Sequence, residues 1–165
     1  MNNPSFSGAK QDLAAVNELV AFLIDGMELA VPITNVVHIL FVPELTKVPG
    51  MPGMLSGMLN LRGETVPVVD VRALFEIPIS ARLKKQRIIV IKRDGISAGL
   101  LVDEVTKVLR ISPDRLEPLP PAVVSGSNAY LEAMYKTDTC IYMLLGTQAL
   151  LGSEEYLIQG SGRFC

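Results

Sequence analysis

An internal repeat is the feature that most narrows the folds open to this sequence. With Gly26 set on Gly95, an offset of 69 residues, turn glycines, apolar positions and a pair of prolines three residues apart coincide in two stretches of the chain. After an insertion of seven residues the correspondence resumes, and Val69 falls on Leu145. Each unit holds about 65 residues, which is too few to bury a large core alone. We therefore expect a duplicated small β-barrel unit whose two copies pack together and share one core.

Short apolar runs separated by Gly, Pro and Asp indicate a mainly β structure. Asp25-Gly26 and Asp94-Gly95 each separate two such runs and predict β-hairpins, with Lys92-Arg93 lengthening the second loop. Pro67 lies in an apolar run and predicts an edge strand, because proline cannot donate a hydrogen bond to a neighbouring strand. Asp70 is the expected N-cap of a short helix. Strands are predicted at residues 19–24, 27–31, 66–70, 88–91, 97–102 and 141–145, and helical turns at 71–75 and 148–151.

Composition argues against membrane-spanning and nucleic-acid-binding classes. Hydrophobic residues make up 49% of the chain, but charges or prolines soon interrupt every apolar run, and a spanning helix needs about 20 apolar residues. The N-terminus has no basic start and no apolar stretch, so we expect no secretion signal and a cytoplasmic location. The net charge of −2 argues against a nucleic-acid surface, and the basic cluster at 82–87 lies between predicted elements.

The chain is poor in groups that could carry catalysis. His38 is the only histidine, and strand alternation places it with Val36 and Leu40 on one face, which predicts a partly buried side chain. Cys140 and Cys165 have no ligand spacing typical of metal sites, and the sequence predicts neither a metal nor a cofactor. Asp70, Asp103 and Glu104 are interpreted as a helix cap and a turn. An enzyme that uses Cys140 or His38 remains an alternative, which requires that residue to be accessible.

One turn places a cation inside otherwise apolar sequence. Gly63 follows Arg62, and a positive φ at Gly63 would tighten the turn and present Arg62 sideways. An arginine at the rim of an apolar face is suited to pairing with a carboxylate or carbonyls of a partner. The nearby Met54 and Met58 are interpreted as core residues rather than as a binding surface.

Over residues 19–151 the sequence resembles the CheW-like domain family. The resemblance rests on the order and spacing of several motifs, of which residues 57–72 (GMLNLRGETVPVVDVR) are the most specific. An apolar strand with a glycine turn precedes that motif, and a Val-Pro-x-x-Pro loop at 48–52 leads into it. Residues 99–109 (GLLVDEVTKVL) match the family's later segment.

The resemblance implies two SH3-like five-stranded β-barrel subdomains packed side by side, with short helices. It also implies a non-catalytic adaptor that couples methyl-accepting chemoreceptors to a CheA-type histidine kinase. The expected partners are the regulatory domain of that kinase and the cytoplasmic tip of a receptor. The protein would then be cytoplasmic and recruited to membrane-associated receptor arrays. A scaffold in a non-chemotactic pathway, such as pilus-based motility, is the alternative.

Five residues match family positions associated with partner binding, where a receptor helix would lie in the groove between the barrels. His38 stands where the family commonly has Glu, which removes a charge at the groove, so we expect receptor specificity to depart from the familiar case at this position. The expected domain organisation is a flexible arm at 1–17, the CheW-like domain at 18–152 with repeat units at about 18–86 and 87–152, and a tail at 153–165. The predicted partner-binding residues are Val36, His38, Ile39, Gly57, Arg62 and Val108, and all of them except His38 match the family's pattern.

Overall fold

A computed structural model describes Leu13 and residues 16–78, 83–123 and 129–152 of the chain. These residues form a mainly β structure with short helices. The helices are α1 (Val71–Leu74), α2 (Thr147–Leu151) and three short 3-10 turns at Ile33–Asn35, Pro113–Arg115 and Pro121–Val123. The strands are β1 (Glu18–Ile24), β2 (Met27–Pro32), β3 (Val36–Phe41), β4 (Leu55–Leu61), β5 (Glu64–Asp70), β6 (Arg87–Arg93), β7 (Ile96–Val102), β8 (Glu104–Arg110), β9 (Leu116–Glu117), β10 (Leu131–Lys136) and β11 (Ile141–Leu145).

The strands form two sheets, which confirms the predicted mainly β fold with two subdomains. The six-stranded sheet has the order β8-β1-β2-β11-β10-β9, and the five-stranded sheet has the order β3-β6-β7-β5-β4. Only the β2–β11 and β5–β7 pairs are parallel among those described. The chain that leaves β3 pairs with β4 through Thr46 and Met58, so residues 42–46 connect the two edges of the five-stranded sheet.

The predicted repeat is visible in the order of elements, but each sheet takes strands from both repeat units. β1, β2 and β3 correspond to β6, β7 and β8, and β4, β5 and α1 correspond to β10, β11 and α2. β1 and β2 nevertheless join the sheet of β8 to β11, while β6 and β7 join the sheet of β3 to β5. The chain therefore crosses between sheets twice, from β2 to β3 and from β7 to β8. The domain bounds drawn from the sequence stay a prediction, and the tail lies outside the described residues.

The two sheets share a core, as the small size of each repeat unit predicted. β1 contributes to two clusters because its side chains alternate between the two faces of the strand. Leu19 and Ala21 belong to a cluster within the six-stranded subdomain, whereas Val20 and Phe22 belong to the cluster shared by both sheets. A strand buried on both faces has a continuous apolar sequence, as β1 does. The shared cluster includes Val20, Phe22, Ile24, Leu29 and Val31 from one sheet and Val69, Ile89, Ile91, Leu100 and Val102 from the other.

Both predicted hairpins are confirmed. The two turn residues have positive φ in each case, at 50° and 79° for Asp25-Gly26 and at 52° and 79° for Asp94-Gly95. Such pairs match the twist of antiparallel strands. The predicted lengthening of the second loop is wrong, because Arg93 pairs with Ile96 and the loop has two residues.

The predicted edge position of Pro67 is also wrong. β5 lies between β7 and β4 in the sheet. Pro67 is tolerated there because the ladder between β5 and β7 covers only residues 68–70, so the missing N–H falls outside it. The predicted cap is confirmed, since Asp70 accepts a hydrogen bond of 2.9 Å from the backbone N–H of Arg72.

Candidate partner-binding surface

The edge strand β3 carries an exposed apolar stripe. Its burial alternates along the strand: Val37, Ile39 and Phe41 are 49%, 46% and 78% exposed, while the residues between them are partly buried. The predicted partial burial of His38 is confirmed, but its predicted position on the same face as Val36 is wrong. The pairing with β6 is irregular between these residues, so that Val36 lies opposite Ile91 and His38 opposite Val90, and these two partners face different core clusters. Proteins usually protect sheet edges with charges or prolines, so an apolar exposed edge indicates an interaction surface.

Phe41, at the end of this stripe, and the neighbouring Leu83 are exposed apolar residues that the sequence did not indicate. The guanidinium carbon of Arg87 lies 4.2 Å from the centre of the Phe41 ring, and Arg87 donates a hydrogen bond of 2.8 Å to the carbonyl of Gln86. Leu83 is 43% exposed and lines a small hollow with Phe41. The stacked cation holds the ring at the surface. The alternation of residues 36–41 placed Phe41 on the face of Ile39, a signal that sequence reasoning did not use.

Arg62 occupies the turn between β4 and β5. Arg62 and Gly63 have φ values of 51° and 82°, which confirms the predicted positive φ at the glycine. The side-chain carbonyl of Asn60 accepts a hydrogen bond of 3.2 Å from the N–H of Gly63 and so braces the turn. Arg62 is exposed, and no carboxylate among the described residues forms an ion pair with it. Its guanidinium is therefore available to a partner.

Gly57 is buried in β4 beneath the segment that follows β3. A Cβ atom at this position would lie 2.8 Å from the Cβ of Leu45 and 3.0 Å from the carbonyl oxygen of Thr46. The φ of Gly57 is +154°, and β4 is irregular at this point. We interpret Gly57 as a packing residue that allows residues 42–46 to approach β4 closely.

Val108 lies on the other sheet. It is 51% exposed on β8, an edge of the six-stranded sheet, and it corresponds to Ile39 in the repeat. Its exposed neighbours on β8 include Thr106, Lys107 and Arg110, so this edge is more polar than that of β3. The structure thus places Val36, His38, Ile39, Gly57 and Arg62 in the five-stranded subdomain and Val108 in the six-stranded one. That all six contact one partner stays a prediction.

A buried ion pair that the sequence did not indicate lies between the two sheets. Arg72 donates from Nε to Oδ1 of Asp103 at 2.9 Å and from Nη2 to Oδ2 at 2.6 Å. Burial alone would raise the pKa of the Asp103 carboxyl, but the hydrogen bonds from Arg72 and from the N–H of Asp25 leave that pKa below its ordinary value. The hydrogen bond to Asp103 raises the pKa of Arg72. Asp70, by contrast, has a raised pKa because burial disfavours its charged form.

The described residues hold no group of three or more His, Cys, Asp and Glu side chains that could bind a metal ion. Within the same residues, no helix has the length and apolar character that crossing a membrane requires. Cys140 is a partly exposed free cysteine, and Cys165 lies outside the described residues.

Comparisons with known proteins agree on one family. The sequence profile of the CheW-like domain matches residues 18–155. The chain is 28% identical to chemotaxis protein CheW of Bacillus subtilis, over 83% of this chain and 88% of that protein. It is 30% identical to protein PilI of Pseudomonas aeruginosa, over 62% and 58%. Among solved structures, the scaffolding protein TtCheW of Thermoanaerobacter tengcongensis has a TM-score of 0.71 at 30% identity, covering 79% of this chain and 84% of that one.

Proposed function

Because the chain belongs to the CheW-like domain family, we propose that it is a non-catalytic adaptor that couples methyl-accepting chemoreceptors to a CheA-type histidine kinase. Its relatives are named as chemotaxis and scaffolding proteins. The observation that carries the proposal is the exposed apolar stripe of β3, in a subdomain that also carries an accessible arginine at the turn between β4 and β5. That combination suits recognition of another protein.

The cytoplasmic tip of a receptor is the proposed partner of this surface. An amphipathic helix can lay apolar side chains against Ile39 in one subdomain and Val108 in the other, with both exposed by about half. Arg62 can then pair with a carboxylate or with carbonyl oxygens at a helix end. His38 lies in β3 next to Ile39. The Glu that the family commonly has at this position would place a negative charge there.

The regulatory domain of the kinase is the proposed second partner. The family resemblance implies that this domain has a similar double-barrel fold and contacts the apolar ends of the barrels. An adaptor with both contacts would be recruited to membrane-associated receptor arrays without spanning the membrane itself.

Titration calorimetry of the full chain with the regulatory domain of a CheA-type kinase from the same genome tests the adaptor role. We expect saturable binding at unit stoichiometry. An absence of binding to every such kinase of that genome would refute the coupling function while leaving the fold unchanged.

Substitution of Arg62 tests the receptor surface. Hydrogen bonds to charged groups contribute about 1.5–3 kcal/mol, so Arg62→Glu should weaken binding of a cognate receptor hairpin by at least about tenfold. Arg115→Glu is the matched control, because Arg115 is a half-exposed arginine beside β9 whose pair with Asp138 is exposed. Unchanged affinity of the Arg62→Glu protein, with native circular dichroism, would contradict this site.

A pathway for pilus-based motility is the second candidate, and the similarity to PilI favours it. The two candidates differ in the kinase that is bound, not in the chemistry of the surface. Binding measured against each CheA-type kinase of the genome in parallel would separate them, because an adaptor of one pathway should prefer the kinase encoded with that pathway.

A further inference from the structure

The two places where the chain crosses between the sheets are equivalent in the repeat but are held in different ways. The first crossing, from β2 to β3, passes through the turn Ile33–Asn35. The second, from β7 to β8, passes through the single residue Asp103, whose backbone N–H donates a hydrogen bond of 3.1 Å to the carbonyl of Leu23 in β1. Each crossing leads into an edge strand, β3 or β8, that carries a predicted partner contact.

The second crossing is held by a network of charged hydrogen bonds between the subdomains. Besides its two bonds from Arg72, the Asp103 carboxylate accepts a bond of 2.8 Å from the N–H of Asp25 in the β1–β2 turn. Arg72 belongs to α1, which follows β5 of the five-stranded sheet, and it also donates to the carbonyl of Pro78 at 3.1 Å. The Arg72 and Asp103 side chains are only 10% and 11% exposed. This Arg72–Asp103 clamp therefore ties the hairpin of one sheet to the helix of the other.

The first crossing has an uncharged contact in the corresponding place. Thr147, in the equivalent helix α2, donates from Oγ1 to Oδ1 of Asn35 at 3.3 Å. That hydrogen bond is longer than those of the clamp, and both of its partners are neutral, so it is the weaker restraint. Of these two contacts at the crossings, the Arg72–Asp103 clamp is thus the charged and bidentate restraint, and it lies at the start of β8.

We propose that Arg72 and Asp103 are positioning residues: the clamp holds β8, with Val108, at a fixed separation from β3, with Ile39. The proposal rests on the proposed function only in its last step, in which that separation is the width of the receptor-binding groove. A groove of fixed width binds a helix without the cost of ordering two subdomains first. Neither residue needs to touch the receptor for this effect.

Pulsed electron resonance distances test the clamp without any partner. Spin labels at Val37→Cys and Val108→Cys, with Cys140 and Cys165 changed to Ser, report the separation of β3 and β8. In the otherwise native protein we expect one narrow distance distribution. In Asp103→Asn and Arg72→Gln we expect a broader distribution or a shifted mean. Asp138→Asn is the matched control, since it breaks an exposed pair with Arg115 and should leave the distribution unchanged.

The double variant Arg72→Met/Asp103→Leu separates positioning from stability. Apolar pairs that replace a buried ion pair often preserve stability, but they cannot provide the bidentate bonds or accept the N–H of Asp25. We expect a native melting temperature with a broadened distribution. A distribution identical to that of the parent in this variant would overturn the proposal, even if the single variants failed to fold.

Affinity for a receptor hairpin tests the last step in unlabelled proteins. We expect the double variant to bind roughly 2- to 30-fold more weakly than the native chain, the range found for residues that act on a site indirectly. If the native chain binds no receptor hairpin, the proposed function fails, and the distance measurement still decides whether the clamp exists. If the native chain binds and the variants keep its distances and affinity, the clamp proposal alone fails.

Discussion

Substitution of Gly57 by alanine should destabilise the fold strongly, although the family resemblance assigns Gly57 to a binding surface. Two costs combine at this position. A residue with a side chain is held at a φ of +154°, and sparsely populated backbone conformations cost about 1–3 kcal/mol. The new Cβ atom would also lie 2.8 Å from the Cβ of Leu45 and 3.0 Å from the carbonyl oxygen of Thr46. The second contact is with backbone, which cannot rotate away.

Overpacking of this kind costs about 1–3 kcal/mol. With the backbone cost, we expect Gly57→Ala to lower the free energy of unfolding by about 4 kcal/mol. For a chain of 165 residues that corresponds to a fall in melting temperature of roughly 8–16 °C. The loss is a large part of the stability of a typical domain, about 5–15 kcal/mol.

Urea unfolding followed by circular dichroism measures this loss. Gly53→Ala is the matched control, because a Cβ atom at Gly53 meets nothing within 4 Å and its φ is not in the positive region. We expect the control to unfold at the native urea concentration. If Gly57→Ala unfolds at the same urea concentration as Gly53→Ala, Gly57 is not needed for packing. Weaker partner binding by a Gly57→Ala protein of native stability would then show that Gly57 contacts the partner directly.

Three further substitutions test the buried polar groups. Tyr135→Phe should lower the free energy of unfolding in urea by about 1–3 kcal/mol, because the buried hydroxyl accepts from the N–H of Ser112 and donates to the carbonyl of Arg110, each at 3.0 Å; native stability would contradict this. Asp70→Asn should be as stable as the native chain or more so at pH 7, because burial raises the pKa of Asp70 and asparagine also caps helices. Any gain in stability of Asp70→Asn over the native chain should shrink as falling pH protonates Asp70 in the native chain. A variant less stable than the native chain at pH 7 would refute this expectation. Asp103→Asn should be less stable than the native chain at pH 7. Because the pKa of Asp103 is lowered in the folded state, its stabilisation is present above the ordinary Asp value of about 3.9 and is lost as the pH falls below it. Melting temperatures of the native and Asp103→Asn proteins should therefore converge toward pH 3, and a constant difference would show that the pair is not the cause.

Local features were predictable from the sequence because they depend on neighbouring residues alone. Asp25-Gly26 and Asp94-Gly95 favour positive φ at two successive positions, which is sufficient to specify a hairpin. Asp70 caps the helix that begins one residue later, and Gly63 permits the turn that exposes Arg62. The repeat and the need for a shared core followed from the spacing of glycines and prolines and from the small size of each unit.

The relations between distant segments were decided by tertiary structure. Strand order is a matter of which hydrophobic faces meet, so the exchange of strands between repeats had no local signal, and Pro67 was assigned to an edge although β5 is internal. The partial burial of His38 was predictable from alternation, but the exposure of Phe41 depends on β3 being an edge strand. The Arg72–Asp103 pair joins residues 31 positions apart that carry ordinary local interpretations, a helix residue and a turn residue. The two charges meet only because the chain crosses between the two sheets at Asp103. Their attraction then outweighs the cost of burying them because the bidentate geometry is complete.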